Sequence, residues 1–330
     1  MRLQLTFSLV ALLLGVTTGA RAQATAPALP ALGVELRGAT VSGVSSGAYM
    51  ALQMQLAVPE RFTQGAAAVA GGPPGCAEGS VFKAIGPCLG RSSIDTASLV
   101  RQARERSSAQ QAPLEPLAST RIYLFAGAKD GVVQPATSQA AQAFYAELLP
   151  QAAVKLETGV PAGHGWVVER AGEAADCERM LAPHLRPCGF DLAGALLQHL
   201  LGPLKPRGGE GELLRFDQGP HASAQAALGE QGLLFVPAAC RSERGCRVHV
   251  VLHGCQMNLD AIGDAFARGN GLNEWAASNR LVLLYPQTGS KAVNGCWDWW
   301  GYTGPQHASR DAPQIAAIGA MLQRLAEVPR

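Results

Sequence analysis

The chain has 330 residues, of which 48% are hydrophobic and only 16% are charged, and its formal net charge is +2. This composition can fill a large core, which excludes an intrinsically disordered protein. Because there is neither a basic surplus nor a tract of arginine and lysine, the sequence predicts no nucleic-acid partner. No partner protein is implied either.

The N-terminus has the pattern of a secretory signal peptide over residues 1–22. Arg2 is followed by the apolar stretch Leu9–Val16 and by the small-residue cleavage pattern Ala20–Ala22. The apolar stretch is shorter than the roughly 20 residues of a membrane span, so we expect no stable membrane insertion. The sequence therefore predicts a secreted or periplasmic protein whose mature chain begins at Gln23.

Beyond the signal, short β-rich segments alternate with longer helical patterns, which is typical of a parallel sheet covered by helices. The segment Pro203–Gly211 is interpreted as a surface connection within one catalytic domain, residues 23–330, rather than a linker between two domains. The predicted strands are Val34–Ser42, Ala66–Ala70, Arg121–Ala126, Ala153–Thr158, Gly232–Val236, Arg247–Leu252 and Leu281–Tyr285. The predicted helices are Ser46–Ala57, Ala136–Leu149, Leu192–Leu201, Ala261–Asn279 and Pro313–Val328.

Eight cysteines, an even number in an exported chain, favour disulfides over free thiols. Eight cysteines allow about 105 pairings, so the sequence leaves the pairing open. Proximity suggests Cys76 with Cys88, Cys177 with Cys188 and Cys240 with Cys246, which leaves Cys255 with Cys296. Zinc is the competing interpretation, but there is no CxxC or HExxH pattern. We therefore predict no metal and no cofactor.

The sequence Gly43–Gly47 matches the G-x-S-x-G motif of a nucleophile elbow, with Ser45 at its centre. It lies between a predicted strand and a predicted helix, where a tight turn would lift the serine hydroxyl out of the sheet. The next amide, Ser46 N–H, would lie at the helix N-terminus and could stabilise an oxyanion.

A serine nucleophile needs a base, and His164 is the best candidate among the seven histidines. It lies in a glycine-rich loop after the predicted strand Ala153–Thr158. Asp130 follows the strand Arg121–Ala126 and could orient the imidazole, although an ordinary Asp-Gly turn is the alternative. The resulting chain order of serine, aspartate and histidine is that of α/β-hydrolases.

The segment His253–Cys255 resembles the oxyanion loop that normally precedes the elbow, yet here it follows all three candidate triad residues. This rotated order is what a circular permutation would produce, and nearby termini make such a rearrangement tolerable. His253 could also be interpreted as the base. We prefer a structural role for it and assign the second oxyanion donor to Cys255 N–H.

Three of the five tryptophans lie within the segment Asn294–Tyr302. Trp299 and Trp300 are predicted to form an aromatic wall for a polyester or oligoester substrate. For Trp297, a packing role is an equal alternative. A disulfide between Cys255 and Cys296 would tether this loop beside the oxyanion hole.

Six ordered motifs extend over nearly all of the mature chain: GVSSGAYMA, AGGPPGCA, GAKDGVV, GHGW, LHGC and NGCWDWWGY. Together they resemble the single-domain, circularly permuted polyhydroxybutyrate (PHB) depolymerases of the fungal type and their bacterial relatives. The resemblance implies a permuted α/β-hydrolase fold, the triad Ser45, Asp130 and His164, oxyanion amides at Ser46 and Cys255, and tryptophan near the substrate.

Two other functions remain open from the sequence. A feruloyl or acetyl-xylan type carbohydrate esterase would share the scaffold and the triad. A non-catalytic hydrolase-like binding protein would be favoured by the loss of a triad residue, and none is lost here.

Overall fold

A mixed eight-stranded β-sheet forms the centre of the molecule in the computed structural model, which describes residues 26–170 and 172–329. The predicted signal peptide lies outside the described residues. The strands are β1 Glu35–Val44, β2 Gly65–Val69, β3 Arg121–Phe125, β4 Ala153–Glu157, β5 Trp166–Val168, β6 Leu185–Pro187, β7 Gly211–Asp217, β8 Gln231–Pro237, β9 Arg247–Leu252 and β10 Leu281–Tyr285. The order across the sheet is β4-β3-β2-β1-β9-β10-β8-β7, and β5 pairs with β6 in a separate parallel pair.

Six neighbouring strands, from β4 to β10 in this order, run parallel, and at one edge β8 pairs in antiparallel fashion with both β10 and β7. Strands β2 and β10 are buried along their whole length, as expected for parallel strands covered on both faces. The structure therefore confirms the α/β class with a mostly parallel sheet.

Helices cover both faces of the sheet. The α-helices are α1 Ser46–Ala57, α2 Val81–Ile85, α3 Thr96–Ala109, α4 Pro135–Leu148, α5 Ala174–Glu178, α6 Leu192–Leu201, α7 Ala239–Ser242, α8 Leu259–Ile262, α9 Ala265–Gly269, α10 Leu272–Ser278 and α11 Pro313–Ala326. One hydrophobic core contains α1, α3, α4 and α11, and a second core on the opposite face contains α6, α9 and α10. No helix of the described residues is long and apolar enough to cross a membrane.

The two ends of the described chain meet at the sheet. The amide of Leu32 donates to Leu325 O at 3.0 Å and that of Gly33 donates to Glu327 O at 2.9 Å, which ties the entry to β1 to the end of α11. Joining these ends and opening the chain elsewhere would keep every strand in place. The contact between the two chain ends agrees with the rotated order of the motifs in the sequence. The fold is therefore a circularly permuted α/β-hydrolase fold.

One predicted helix is wrong, and one long helix was not predicted. The predicted helix Ala261–Asn279 is divided into α8, α9 and α10, because Gly263 and Gly271 adopt positive φ angles of 59° and 81° that no α-helix accommodates. The second error is an omission: α3 was not predicted, since its buried residues are few, although Asp95 caps it by accepting from Ser98 N.

All four disulfides suggested from the sequence are present, and the described residues contain no free cysteine. Three of them close loops of 6 to 12 residues, whereas Cys255–Cys296 joins positions 41 residues apart. That longest bridge connects the end of β9 with the tryptophan segment, as the sequence predicted.

Two buried neutral histidines on and after β9 predict a stability that falls on acidification. His249 lies between Thr40 Oγ1 and Ser42 Oγ at 2.7 and 2.8 Å, and burial lowers the pKa of His249 to about 3 and that of His253 to about 4. In the unfolded chain both would titrate near their usual pKa of about 6.5. Below that pH the unfolded state binds protons that the folded state excludes, so stability is full above pH 6.5 and is lost as the pH falls towards 4.

We expect the free energy of unfolding in urea to decrease between pH 6.5 and 5 by up to about 1.4 kcal/mol per pH unit for each histidine. His249→Leu should remove the contribution of this one histidine to the pH dependence of the unfolding free energy. An unfolding free energy that stays constant over this range would contradict the prediction.

Candidate active site

Ser45 lies in a strained turn between β1 and α1. Its φ of 56° and ψ of −121° are rare for a residue with a side chain, and its amide donates to Val69 O at 2.9 Å. The two flanking glycines are required by space, because a Cβ on Gly43 would lie 2.1 Å from Gly47 O. The turn is therefore a nucleophile elbow, and it presents the Ser45 hydroxyl above the carboxyl end of the sheet.

His164 and Asp130 reach Ser45 from the loops after β4 and β3. His164 Nε2 lies 3.0 Å from Ser45 Oγ, and His164 Nδ1 lies 2.8 Å from Asp130 Oδ2. The other Asp130 oxygen accepts the amides of Val132 and Val133, both at 2.9 Å. The Asp130 side chain is completely buried. The structure thus brings together the three side chains that the sequence singled out, in the geometry of a Ser-His-Asp triad.

The His164 loop is held from behind by a side chain that the sequence analysis missed. Arg186, which is 2% exposed, donates from Nε to His164 O at 2.9 Å and from Nη2 to Leu181 O at 3.1 Å. The same segment is crosslinked by Cys177–Cys188 and bonded through Gly163 N to Cys177 O. These contacts fix the main chain on both sides of the imidazole.

Two backbone amides lie beside the serine without an internal acceptor. Ser46 is the first residue of α1, so its N–H has no partner within the helix, and Cys255 follows the end of β9. Among the described residues, neither amide donates to a protein oxygen. Gly47 keeps the two segments close, since a Cβ there would lie 2.4 Å from His253 O. The arrangement matches the predicted pair of oxyanion donors.

The tryptophan segment combines packing and cavity-lining residues. Trp297 is fully buried and its ring lies 5.2 Å from that of His253, so it belongs to the core. Trp299 is 8% exposed and stacks on Tyr49 with ring centroids 4.1 Å apart, and Trp300 meets it edge to face at 5.5 Å. Trp299 and Trp300 therefore form one continuous aromatic wall supported by α1.

Asp298 holds the turn that carries this wall. Its two carboxylate oxygens accept the amides of Gly301, Tyr302 and Thr303 and the hydroxyl of Thr303. Ser46 Oγ accepts the amide of Trp297 at 3.3 Å, which connects the segment to the elbow. The aromatic wall is thus anchored directly beside the serine.

A cavity of about 360 Å³ opens over Ser45 and His164, and most of its surface is apolar. Cys255, Trp299, Trp300 and Tyr49 line one part of it. His184 also lines it, a histidine that the sequence analysis did not assign to the site. No local pattern marked His184, because only the pairing of the short strands β5 and β6 brings it here.

Exposed apolar side chains that line this cavity, or that are chain neighbours of lining residues, are called the apolar rim here. Its most exposed member is Phe82, with 81% of its surface accessible. The rim consists of Val81, Phe82, Ile85, Met180, Leu181 and Val293. Exposed apolar side chains beside a cavity are typical of a binding surface.

No group of three or more histidine, cysteine, aspartate or glutamate side chains that could hold a metal ion occurs within residues 26–170 and 172–329. At Ser45 the cavity offers a hydroxyl, an imidazole and free amides, and His184, Gln256 and Asn294 line it further out. The hydroxyl, the imidazole and the amides are the groups of acyl transfer by a serine nucleophile.

A permuted α/β-hydrolase fold with this elbow and this histidine defines a serine hydrolase that acts on esters. No family model matches the sequence. A poly(3-hydroxybutyrate) depolymerase of Delftia acidovorans is 39% identical over 307 residues, which cover 90% of this chain and 61% of the relative. A polyhydroxybutyrate depolymerase of Talaromyces funiculosus is 32% identical over 324 residues, covering 92% of this chain and 94% of the relative.

Two solved structures agree with these relatives. Both are PHB depolymerases, one from Penicillium funiculosum and one a serine-to-alanine variant complexed with an R3HB trimer. Each is 29% identical, superimposes with a TM-score of 0.81, and covers 91% of this chain and 98% of its own. The chain belongs to the polyhydroxybutyrate depolymerase family. It spans about three fifths of the Delftia relative and nearly all of the fungal one.

Proposed function

We propose that the chain is a secreted esterase that hydrolyses poly(3-hydroxybutyrate) or its oligomers through Ser45, His164 and Asp130. The observation that carries the proposal is the hydrogen-bonded chain from Ser45 Oγ through His164 to the buried Asp130, located at an apolar cavity. Such a cavity excludes water around the ester while the free amides remain available to a developing charge.

In the first half of the reaction, Ser45 Oγ attacks the ester carbonyl carbon and passes its proton to His164 Nε2. The amides of Ser46 and Cys255 stabilise the resulting oxyanion, and Asp130 stabilises the imidazolium. When the carbon–oxygen bond to the leaving alcohol breaks, His164 donates the proton to that alcohol. An acyl-enzyme on Ser45 remains.

In the second half, His164 accepts a proton from water, and the hydroxide attacks the acyl carbon. Collapse of this second tetrahedral intermediate releases the acid and returns the proton to Ser45. No cofactor or metal is needed for either half.

Three features support a polyester substrate. The wall of Trp299 and Trp300 offers an apolar surface for repeated small units, and rigid indoles lose little entropy when they bind. The apolar rim extends this surface beyond the cavity, where a longer chain or a solid polymer would lie. Finally, relatives named for this polymer cover nearly the whole chain, and one related structure holds an R3HB trimer.

Export is proposed on the signal pattern of residues 1–22 together with the four disulfides, which persist in oxidising compartments. Residues 23–330 would then be the mature enzyme and form one catalytic domain, because strands from both halves of the chain build the single eight-stranded sheet.

The test compares three substrates: p-nitrophenyl butyrate, a soluble 3-hydroxybutyrate trimer and a PHB film. We expect Trp300→Ala to slow hydrolysis of the trimer at least about tenfold more than that of the small ester, which needs only the catalytic groups. Phe82→Ser, outside the cavity, should slow film hydrolysis while both soluble substrates are cleaved normally.

If Trp300→Ala slowed the hydrolysis of all three substrates by the same factor, this tryptophan would have a packing role. Wild-type activity on feruloyl esters with none on the trimer or film would replace the proposed function with a carbohydrate esterase.

A further inference from the structure

His253 is a fully buried, polar side chain next to the catalytic serine, and no step of the proposed reaction uses it. It follows β9, and its ring nitrogens face two main-chain groups. His253 Nδ1 lies 2.7 Å from Gly254 O, and Thr288 N lies 3.2 Å from His253 Nε2. Both nitrogens are therefore occupied, which leaves neither of them to act on a substrate.

These two contacts determine where the proton of the imidazole lies. A main-chain N–H can only donate, so Nε2 must accept from Thr288 and carries no proton. The hydrogen of the neutral ring is then on Nδ1, which donates to Gly254 O. Burial lowers the pKa of His253 to about 4, so the neutral form that this arrangement needs is present at neutral pH.

The donated hydrogen bond fixes the plane of the peptide between Gly254 and Cys255. This peptide is trans, so its carbonyl and its N–H point in opposite directions. With the carbonyl directed at the imidazole, the Cys255 N–H is directed away from it. Met257 N adds a weaker contact to the same carbonyl at 3.3 Å.

The fixed peptide is adjacent to the nucleophile. A Cβ on Gly254 would lie 3.2 Å from Ser45 Cβ and 3.4 Å from Val44 O, so this glycine is in contact with the elbow. Cys255 lines the cavity, and its amide has no acceptor among the described residues. Small rotations of the peptide plane would therefore change the direction of this amide relative to an oxyanion on Ser45.

We propose that His253 is a positioning residue that directs the Cys255 N–H into the oxyanion hole by holding the Gly254 carbonyl. The proposal rests on the serine-esterase mechanism above, in which this amide is the second oxyanion donor. His253 thus assists the reaction by orienting a donor to the oxyanion of the tetrahedral intermediate, and it transfers no proton.

The experiment uses His253→Leu, which removes the donor, and His253→Asn, whose side-chain amide can reach Gly254 O from about the position of Nδ1. His249→Leu is the matched control, because it is the same substitution of an equally buried, neutral histidine four residues earlier, on the strand that leads to His253. Each full-length protein is assayed for kcat and KM with p-nitrophenyl butyrate and for inhibition by phenylboronic acid. Phenylboronic acid forms a bond from boron to Ser45 Oγ, passes the serine proton to His164, and places an oxygen in the oxyanion hole.

We expect His253→Leu to lower kcat about ten- to hundredfold with KM within twofold, and to weaken phenylboronic acid inhibition by a similar factor. His253→Asn should recover most of both. His249→Leu should lower the unfolding midpoint and leave kcat and inhibition within twofold of the wild type. If His253→Leu lost no more activity than His249→Leu, the proposal would be overturned.

A measurement on the wild type covers the case in which His253→Leu does not fold. In ¹⁵N spectra of histidine-labelled protein, assigned with His253→Asn, His253 should be neutral at pH 6 with its proton on Nδ1. A proton on Nε2 or a cationic ring at that pH would overturn the proposal. Failure of the proposed function has a separate signature, since a wild type that cleaves p-nitrophenyl butyrate but no hydroxybutyrate oligomer would refute only the substrate.

Discussion

Ser45→Ala is expected to lower kcat for ester hydrolysis by roughly 10⁴- to 10⁶-fold, because the hydroxyl is the atom that forms the acyl-enzyme. His164→Ala should cause a loss of similar size, since an unassisted serine hydroxyl is a poor nucleophile at neutral pH. The double variant should be no slower than either single variant, because the residues act as one unit. Steady-state kinetics with p-nitrophenyl butyrate measure all three.

Asp130→Asn offers a more conservative change in the same unit. The asparagine oxygen can still accept from Val132 and Val133, so the turn should survive. Its NH₂ group would face His164 Nδ1 and force the imidazole proton onto Nε2, where it can no longer accept from Ser45. We expect kcat to fall about 10⁴-fold while the unfolding free energy changes little.

Retention of activity in His164→Ala would contradict the triad. If His253→Leu then abolished activity completely, the base would have to be reassigned to His253. The existing contacts of both His253 nitrogens argue against that result.

Gly47→Ala is expected to cause a large loss of stability. The new Cβ would lie 2.4 Å from His253 O and 2.5 Å from Leu252 O, and both are main-chain atoms of a central strand end that cannot rotate away. The end of β9 and the start of α1 would have to separate. We expect the free energy of unfolding to drop by about 3 kcal/mol or more.

The same separation should also lower kcat, because it moves the Ser46 and Cys255 amides apart. Chemical denaturation and kinetics on Gly47→Ala measure the two effects. Gly319→Ala is the matched control: it lies inside α11 with no atom within 4 Å of the added Cβ, so the change should stabilise the protein by about 1 kcal/mol. Wild-type stability of Gly47→Ala would contradict the close contact of β9 with α1.

Much of the fold follows from local patterns in the sequence. Seven strands of the main sheet were predicted to within about two residues at each end, since runs such as Leu281–Tyr285 are apolar throughout and bounded by a charged residue or proline. The strand β7 was missed, because it is an edge strand with few buried residues and therefore lacks a strong pattern. The helix α3 was missed for the same reason.

The residues of the candidate site also fall into two groups, those that local sequence motifs reveal and those that they do not. Ser45 and the other predicted polar contributors belong to short motifs whose glycines and flanking strands are visible in the sequence. These contributors are His164, Asp130 and the amides of Ser46 and Cys255. Arg186 and His184 belong to no motif. They reach the site only because β5 and β6 pair and Cys177–Cys188 closes their loop.

By itself, the sequence determined the α/β class, the chain order of the triad candidates, and the family resemblance, because each depends on residues that are close together along the chain. The tertiary structure alone decided which side chains support these groups. Trp299 stacks on Tyr49, 250 positions away, and Leu32 N bonds to Leu325 O across nearly the whole chain. Such contacts depend on how the sheet is closed and packed, and a local pattern carries no information on partners so distant in the chain.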